Sequence, residues 1–279
     1  MKIITLTTDF GLNDEYVGVM KGVLACRAPE ARVIDICHAI APQNILDAAE
    51  MVAGAYGYFP KGTVHLIVVD PGVGSGRGMV AAEADGHLFV APDNGLLPAI
   101  TKKAKRARFV RITRDDIALE KSSTTFHGRD LFSPLAAHLV IHEKIDALGP
   151  EVSLFDLTEA PEPPIEFLQN GIRVQVTRVD RFGNIITPLS RKTITKTYAG
   201  ISLDDMVVEI GQNKIKGLLR CYADGKMGEP LVLFGSRETL EVAVNGGDAS
   251  KYFGISAGDW LTIRFGNAQK KMKNLLKCL

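Results

Sequence analysis

The chain has 279 residues, which is enough for one large domain or two medium-sized domains, each with its own core. Its 33 Lys and Arg residues balance 32 Asp and Glu residues, so no overall positive field exists to attract nucleic acid or an anionic membrane surface. We therefore expect a small molecule as the partner, with no nucleic acid and no membrane.

The first half of the sequence alternates segments of strand and helix character. Residues 14–29 and 44–60 carry apolar residues at helical spacing and end at a proline, and a third helical pattern begins at Gly128. Strands rich in β-branched and aromatic residues are predicted at residues 3–8, 32–37, 63–70, 87–92 and 108–113. This alternation predicts an α/β domain over residues 1–159, with a mostly parallel central sheet and ligands beyond the carboxyl ends of its strands.

The composition changes at the closely spaced prolines 161, 163 and 164, which neither continue a helix nor fit a central strand. We place a Pro-rich linker at residues 160–170. Residues 171–279 consist mostly of strand-like segments separated by turns and predict a smaller all-β domain, most simply a barrel. Its last residues, 267–279, form a basic amphipathic tail that is expected to be a solvated terminal helix or a fraying end.

Cysteine usage and the N-terminal sequence bear on the compartment. The four cysteines show no C-x-x-C spacing, so neither a zinc site nor a disulfide framework is expected. The N-terminus lacks a signal-length apolar stretch, and no apolar run approaches the roughly 18 residues of a membrane span. These features predict a soluble cytoplasmic protein with reduced thiols.

The stretch VVDPGVGSGRG, residues 68–78, resembles a phosphate-binding glycine loop at first sight. Its glycine spacing matches neither the dinucleotide-binding template nor the P-loop template. The residues that follow predict a hairpin turning at Asp85 and Gly86 rather than the helix that a phosphate loop needs. We therefore interpret the glycines as shaping a turn, which leaves Asp70 and Arg77 as the reactive residues of this stretch.

Several polar residues lie at the ends of predicted elements. Asp9 and Asp70 end predicted central strands, where a carboxylate suits a ribose diol, a metal ion or a turn cap, and position alone does not choose between these roles. His127 precedes the third helix, where it fits either a structural role or catalysis and ligand binding. Arg77 fits either a solvated charge or a functional cation.

Two other chemistries receive little support from the sequence. His127 and Asp130 with one of the strand-end carboxylates would suffice for a divalent ion, but no H-E-x-x-H motif, paired histidines or dense carboxylate cluster is present, so no metal is predicted. The segment FGSRE around Ser236 does not match the nucleophile motif G-x-S-x-G, so serine catalysis is not predicted either.

Taken in order, seven motifs resemble the S-adenosyl-L-methionine (SAM) hydroxide adenosyltransferases, which are SAM hydrolases related to the fluorinases and chlorinases. The resemblance runs from Ile4 to about Arg264. The motifs are TTDFGLNDEYVG, DICHAIAPQNI, VVDPGVGSGRG, VAPDNGLL, STTFHGRDLFSP, VDRFGNIIT and GSRETLEVAVNGGDAS. The resemblance implies an α/β N-terminal domain, a C-terminal β-barrel, and a homotrimer with active sites at subunit contacts.

The resemblance also implies an activity: attack of water or hydroxide on the ribose C5′ of SAM, which gives adenosine and methionine. It assigns catalysis to Asp70, Arg77 and His127. A sulfonium is an excellent leaving group, so the enzyme needs a positioned and activated water rather than a metal or a cofactor. Either Asp70 or His127 would accept the proton of that water, while Arg77 orients it. SAM is the substrate, and no cofactor is predicted.

The substrate contacts implied by the resemblance are distributed over both halves of the chain. Asp9 is similar to the residue that accepts hydrogen bonds from both ribose hydroxyls. The remaining assigned residues are Asp14 and Asp180 near the methionine ammonium, Ser236 and Arg237 at its carboxylate, Phe182 and Asn184 at adenine, and Tyr16 and Gly246 elsewhere in the substrate site. The halogenases have Ser, Trp and Arg at the positions that resemble Tyr16, Gln43 and Val244. The VDRFGN loop is one residue shorter than the corresponding halogenase loop.

Three further differences favour hydrolysis over halogenation. In the halogenases, Tyr, Thr and Ser occupy the positions that resemble Asp70, Val73 and Gly128 in this chain. A carboxylate at position 70 repels halide, and two halide hydrogen-bond donors are missing. The alternatives to a SAM hydrolase are a SAM- or adenosine-binding protein with incidental turnover and, less favoured, a SAM-dependent halogenase.

Overall fold

The computed structural model describes residues 1–102, 104–121, 123–159, 162, 165–199, 201–266 and 269–270. The chain divides into two compact units, with the division between residues 161 and 162. The predicted domain bounds stay a prediction. Within the stretch 160–170, residues 165–168 form the first strand of the second unit.

The first unit is built on a seven-stranded sheet with the strand order β2-β1-β3-β5-β4-β6-β7. The strands are β1 (Ile3–Thr8), β2 (Arg32–Cys37), β3 (Val64–Val68), β4 (Met79–Ala84), β5 (His87–Pro92), β6 (Ala107–Arg111) and β7 (Glu151–Val152). The helices are α1 (Tyr16–Arg27), α2 (Ile45–Ala55), α3 (Leu96–Thr101) and α4 (Ser133–His142). Five residues before α4, Gly128–Phe132, form a turn of π-helix.

Helices cover both faces of this sheet, as the alternation of strands and helices predicts. Successive residues of β3 point to opposite faces: Leu66 packs in a cluster that includes Met20 of α1 and Leu135 of α4. Ile67 packs in a second cluster that includes Val52 of α2 and residues of α3. Because β3 is buried on both sides, its sequence is a continuous apolar run broken only by His65.

The prediction of a mostly parallel sheet is wrong, because the sheet contains both parallel and antiparallel strand pairs. The pairs β1–β2, β1–β3 and β3–β5 are parallel, and the pairs β4–β5, β4–β6 and β6–β7 are antiparallel. The cause is the hairpin that the sequence indicates at Asp85 and Gly86, whose φ angles of 49° and 85° suit a two-residue turn. Strands joined by such a turn run antiparallel.

The second unit contains antiparallel sheets of four strands (β10-β11-β16-β15) and five strands (β14-β13-β17-β9-β8) and a two-stranded pair (β12-β18). The strands are β8 (Ile165–Leu168), β9 (Gly171–Gln175), β10 (Arg178–Val179), β11 (Ile185–Ser190), β12 (Tyr198–Ala199), β13 (Val207–Ile210), β14 (Asn213–Lys216), β15 (Pro230–Phe234), β16 (Thr239–Val244), β17 (Trp260–Arg264) and β18 (Gln269–Lys270). The unit also includes α5 (Arg191–Thr197) and α6 (Ala249–Phe253), so it is not composed of strands alone. The closed barrel stays a prediction.

Some sequence predictions concern chemistry outside the sheets. Cys26, Cys37 and Cys221 are free thiols. None of the helices in the described parts of the chain is both long and apolar enough to cross a membrane. Apart from residues 269–270, the predicted C-terminal tail 267–279 lies outside the described residues.

A buried pair of histidines, His65 of β3 and His87 of β5, lies on neighbouring strands of the first sheet. Nδ1 of His65 lies 2.7 Å from Oγ1 of Thr5, and Nε2 of His65 lies 3.3 Å from Nδ1 of His87. Burial, followed by the neighbouring His87, lowers the pKa of His65 from 6.5 to about 3. His65 is therefore neutral in the folded protein, whereas in the unfolded chain it takes up a proton below about pH 6.5.

We expect this histidine to make the folded state less stable in acid. As the pH falls from about 6.5 toward about 3, the unfolded chain gains a proton that the folded chain lacks, which costs about 1.4 kcal/mol per pH unit. Urea unfolding of the wild type and of His65→Gln between pH 7.5 and 4.5 checks this. The substitution is expected to flatten the loss of stability with falling pH, whatever its effect at pH 7.5; equal slopes for both proteins would contradict the assignment.

Candidate active site

Asp70, Arg77 and His127 meet beyond the carboxyl end of β3. Nε of Arg77 donates to Oδ1 and Oδ2 of Asp70, at 2.8 and 2.9 Å, and Nη2 makes a further short contact with Oδ2. Nη2 also lies 3.0 Å from Nδ1 of His127. The side chains of Arg77 and Asp70 are only 10% and 5% exposed, so the arginine bridges a carboxylate and an imidazole largely out of water.

The glycine-rich stretch forms a turn, as predicted, and leads directly into β4. Within it, Val73 N–H donates to the carbonyl of Asp70, and Ser75 N–H and its hydroxyl both donate to the carbonyl of Gly72. Gly74 has a φ of +78°, and a Cβ there would meet the carbonyl oxygen of Thr124 at 2.7 Å. Only glycine suits this position. The turn brings the Arg77 side chain back to the carboxylate of Asp70.

His127 is held by the turn of π-helix that precedes α4. Ser133 caps this turn, because its backbone N–H and its hydroxyl both donate to the carbonyl of Gly128. Asp130 is fully buried and accepts hydrogen bonds from the Arg129 guanidinium and from Ser123 N–H. These contacts fix the backbone that presents the His127 ring to Arg77.

The contact with Arg77 determines the tautomer of His127. A guanidinium only donates, so Nδ1 of His127 accepts, and the proton of the neutral ring belongs on Nε2. Burial lowers the pKa of His127, and the positive charge of Arg77 lowers it further, against the opposing effects of Asp70 and Asp130. The ring is therefore neutral at pH 7 and offers Nε2–H as a hydrogen-bond donor.

An aromatic cluster of Phe10, Tyr16 and Phe126 connects the end of β1 to His127. The ring centroids of Phe10 and Phe126 are 5.9 Å apart, and those of Tyr16 and Phe126 are 5.1 Å apart. A Cβ at Gly128 would lie 3.1 Å from Sδ of Met20 and 3.3 Å from the rings of Phe10 and Phe126. A residue with a side chain at position 128 would therefore require Met20 and these rings to shift by a few tenths of an ångström.

The structure places the other assigned residues of the first unit near the start of α1. Asp9 follows β1 and accepts a hydrogen bond of 2.8 Å from the backbone N–H of Gln43. Asp14 is exposed in the bend that leads to α1, and Tyr16 is the first residue of that helix. Asn94 was not singled out from the sequence, yet its amide donates to the carbonyl of Val69 and supports the backbone beside Asp70.

In the second unit, Asp180 and Asn184 close a tight loop. The Asp180 carboxylate accepts from the backbone N–H groups of Phe182 and Asn184, both at 2.9 Å, and from the amide of Asn184 at 3.0 Å. Phe182 is 76% exposed at the tip of this loop. The loop backbone is therefore fixed while the apolar ring is exposed to solvent, which suits a stacking contact with a ligand.

The remaining assigned residues lie in turns beside β16. Ser236 is exposed and Arg237 is half-buried in the turn between β15 and β16, and Gly246, with a φ of +71°, lies in the turn after β16. Sequence reasoning missed Glu241 in β16, which is only 8% exposed. The hydroxyl of Tyr222 donates to Glu241 at 2.9 Å.

Glu241 is an unusual acid for its position. Burial raises its pKa, and nearby Asp180 adds to that effect against the hydrogen bond from Tyr222 and the charges of Arg178 and Arg237. Burial and Glu241 in turn raise the pKa of Tyr222 to about 12. Gly235 provides the space, because a Cβ there would overlap the Glu241 carboxyl group. The signal available in the sequence was one charged residue within the apolar strand TLEVAV.

Comparison with known proteins identifies the family of the chain. Residues 4–149 match the SAM hydroxide adenosyltransferase N-terminal domain, and residues 174–262 match the C-terminal domain of the same name. The chain belongs to the SAM hydroxide adenosyltransferase family.

Several relatives and solved structures are similar along nearly the whole chain. The (R)-S-adenosyl-L-methionine hydrolase of Thermus thermophilus is 39% identical, with 92% of this chain and 98% of the relative covered. A fluorinase from Actinopolyspora mzabensis is 23% identical, with 92% and 95% covered. The crystal structure of an uncharacterised conserved protein from Thermotoga maritima has a TM-score of 0.83 at 34% identity, with 94% of this chain and 99% of that chain covered.

Proposed function

We propose that the protein is a SAM hydrolase that converts SAM and water into adenosine and L-methionine. The observation that carries this proposal is the half-buried cluster in which Arg77 bridges Asp70 and His127. Such a cluster offers a carboxylate acceptor, a fixed cation and an imidazole donor to one small polar molecule. Relatives at 34 to 39% identity over nearly their whole length have the name (R)-S-adenosyl-L-methionine hydrolase.

The proposed reaction is an in-line displacement at C5′. A lone pair of the water oxygen forms the new bond to C5′, while the C5′–S bond breaks and its electron pair goes to sulfur. The sulfonium becomes the neutral thioether of methionine, so the leaving group needs no acid. Holding the water about 3 Å from C5′, in line with the breaking bond, supplies much of the rate.

The proton of the attacking water is assigned to Asp70. Nδ1 of His127 is occupied by Arg77 and its Nε2 holds the ring proton, so the neutral imidazole has no lone pair to offer. Oδ2 of Asp70 accepts two hydrogen bonds from Arg77, whereas Oδ1 accepts one and retains a second acceptor site for the proton of the water. In this scheme Nε2–H of His127 donates to the water oxygen and orients it, and Arg77 stabilises the developing hydroxide.

The substrate contacts form part of the same proposal. Asp9 would bind the ribose hydroxyls in the first unit, and the exposed Phe182 would stack on adenine. The other proposed contacts are Asp14 and Asp180 with the ammonium group, Ser236 and Arg237 with the carboxylate, Asn184 with the adenine amino edge, and Tyr16 and Gly246 within the substrate site.

We also propose that the protein acts in the cytoplasm as a homotrimer with its sites at subunit contacts and without a cofactor. These points come from the family resemblance and from the sequence composition. Sedimentation equilibrium at micromolar concentration checks the assembly; a mass of one or two chains would contradict it.

Incubation with SAM in water enriched in ¹⁸O, with and without fluoride or chloride, tests the proposed function. The expected product is adenosine with the label on its 5′ oxygen, formed at the same rate with and without halide. A 5′-halo nucleoside would identify a halogenase instead. SAM that binds stoichiometrically but remains unchanged over hours would identify a binding protein.

A further inference from the structure

A chain of polar contacts runs from the surface of α1 to the residue before Asp9. Nζ of Lys21 lies 2.6 Å from Oδ2 of Asp35 in β2, and Nε2 of His38 lies 3.1 Å from Oδ1 of the same carboxylate, off the line of a hydrogen bond. Nδ1 of His38 lies 2.8 Å from Oγ1 of Thr8, the last residue of β1. Both His38 and Thr8 are buried, at 5% and 0% exposure.

His38 also fixes the backbone that follows Thr8. Its carbonyl accepts a hydrogen bond of 2.7 Å from the N–H of Gly11, which has a φ of +69°. Oγ1 of Thr8 accepts from the N–H of Phe10 at 3.3 Å. The side chain of His38 therefore holds one end of the segment 8–11 through Thr8, and its backbone holds the other end.

Asp9 lies inside this doubly anchored segment. Its carboxylate accepts a hydrogen bond of 2.8 Å from the N–H of Gln43, five residues after His38, so strand β1 and the loop after β2 are both needed to place the carboxylate. Asp35 is ionised in this setting: burial raises its pKa, but the contacts with Lys21 and His38 outweigh that effect and lower it overall. The carboxylate thereby places a negative charge 3.1 Å from Nε2 of His38.

We propose that His38 is a positioning residue for the adenosyl-binding carboxylate of Asp9, acting through Thr8 and the segment 8–11. This inference rests on the proposed role of Asp9 in binding the ribose hydroxyls. His38 does not touch the substrate in this scheme. A hydroxyl recognition site loses selectivity when its acceptor moves, because two hydrogen bonds to one carboxylate need a fixed geometry.

The chain contains a matched control on the same strand. Thr5 of β1 makes an equally buried contact with a histidine, 2.7 Å from Nδ1 of His65. It lies three residues before Thr8, about 10 Å away along the strand. Replacing Thr5 or Thr8 by Val removes a hydroxyl from a buried threonine–histidine pair in each case, but only Thr8 adjoins Asp9.

The test compares Thr8→Val with Thr5→Val by measuring SAM turnover and the binding of adenosine and 2′,3′-dideoxyadenosine by calorimetry. Thr8→Val is expected to raise KM for SAM at least tenfold and to lower the preference for adenosine over the dideoxy nucleoside by a similar factor. Thr5→Val is expected to keep both within about twofold. In an Asp9→Asn background, Thr8→Val should have little further effect on that preference, because the acceptor is already lost.

Substitutions of His38 separate positioning from a general loss of stability. His38→Asn retains a polar group near the place of Nδ1 and is expected to keep most of the ribose preference, whereas His38→Leu is expected to lose it. If the wild type hydrolyses SAM and the two variants show equal preferences for adenosine over the dideoxy nucleoside, the positioning role is overturned and the proposed function stands. If the wild type fails to hydrolyse SAM, the proposed function fails, and the adenosine measurements alone decide the inference; no discrimination between the two nucleosides by the wild type would overturn it.

Discussion

Replacement of Asp70 by Asn is expected to lower kcat for SAM hydrolysis by about a hundredfold or more. The amide has nearly the shape of the carboxylate but does not accept the proton of the attacking water. It also places an N–H donor against Arg77, which donates to both Asp70 oxygens in the wild type. Initial rates of adenosine release at saturating SAM measure the effect, with urea unfolding as a check on the fold.

The matched control is Asp93→Asn, because Asp93 forms a comparable pair with Arg111 at 2.9 Å and its side chain is 8% exposed. This variant is expected to retain a rate within about threefold of the wild type, since the pair has no assigned part in the reaction. His127→Gln, which retains a donor, is expected to be faster than Asp70→Asn. A faster Asp70→Asn would reverse the assignment of the base.

Replacement of Gly171 by Ala is expected to destabilise the second unit by about 3 kcal/mol or more. Gly171 begins β9 and pairs with Arg264 of β17 on one side and with Leu168 of β8 on the other. A Cβ at this position would overlap the backbone carbonyl oxygen of Ile263. The strand cannot move aside easily, because the single hydroxyl proton of Tyr198 is shared between the carbonyls of Leu168 and Gly171.

Gly266→Ala is the control for this prediction. Gly266 lies two residues after β17 in the same unit, and among the described residues a Cβ there would meet no heavy atom within 4 Å apart from its chain neighbours. The free energy of unfolding of Gly266→Ala is expected to stay within about 0.5 kcal/mol of that of the wild type. Urea unfolding followed by circular dichroism compares the two variants; a similar midpoint for both would show that the sheet adjusts to the added methyl group.

The sequence predicted several strands of the first unit with their bounds. The bounds of β1, β2 and β5 agree with the predictions because each strand is a short run that contains β-branched or aromatic residues, with turn residues beside it. Helix α3 was not predicted, because its six residues are too few to show helical periodicity and include a proline. Helices α5 and α6, of seven and five residues, were missed for the same reason of length.

The sequence pointed to three residues of the candidate site but contained no information on the geometry in which they meet. The family resemblance assigned Asp70, Arg77 and His127, which the structure brings into contact. The tautomer of His127 depends on which ring nitrogen faces Arg77, and no sequence pattern contains that information. The contact of Thr8 with His38 joins residues 30 apart in the chain, so it appears only when β1 and β2 pair.

The turn of π-helix before α4 limits how the sequence can change in length. A π turn contains one more residue than an α-helical turn over the same rise, so it amounts to an insertion that the fold has retained. Deleting one residue between His127 and α4 would restore regular helix but rotate everything before it by about 100° around the helix axis. The imidazole would then face away from Arg77. In this segment the number of residues is therefore constrained as well as their types, and a homologue with a deletion here would need another residue in place of the histidine that contacts its arginine.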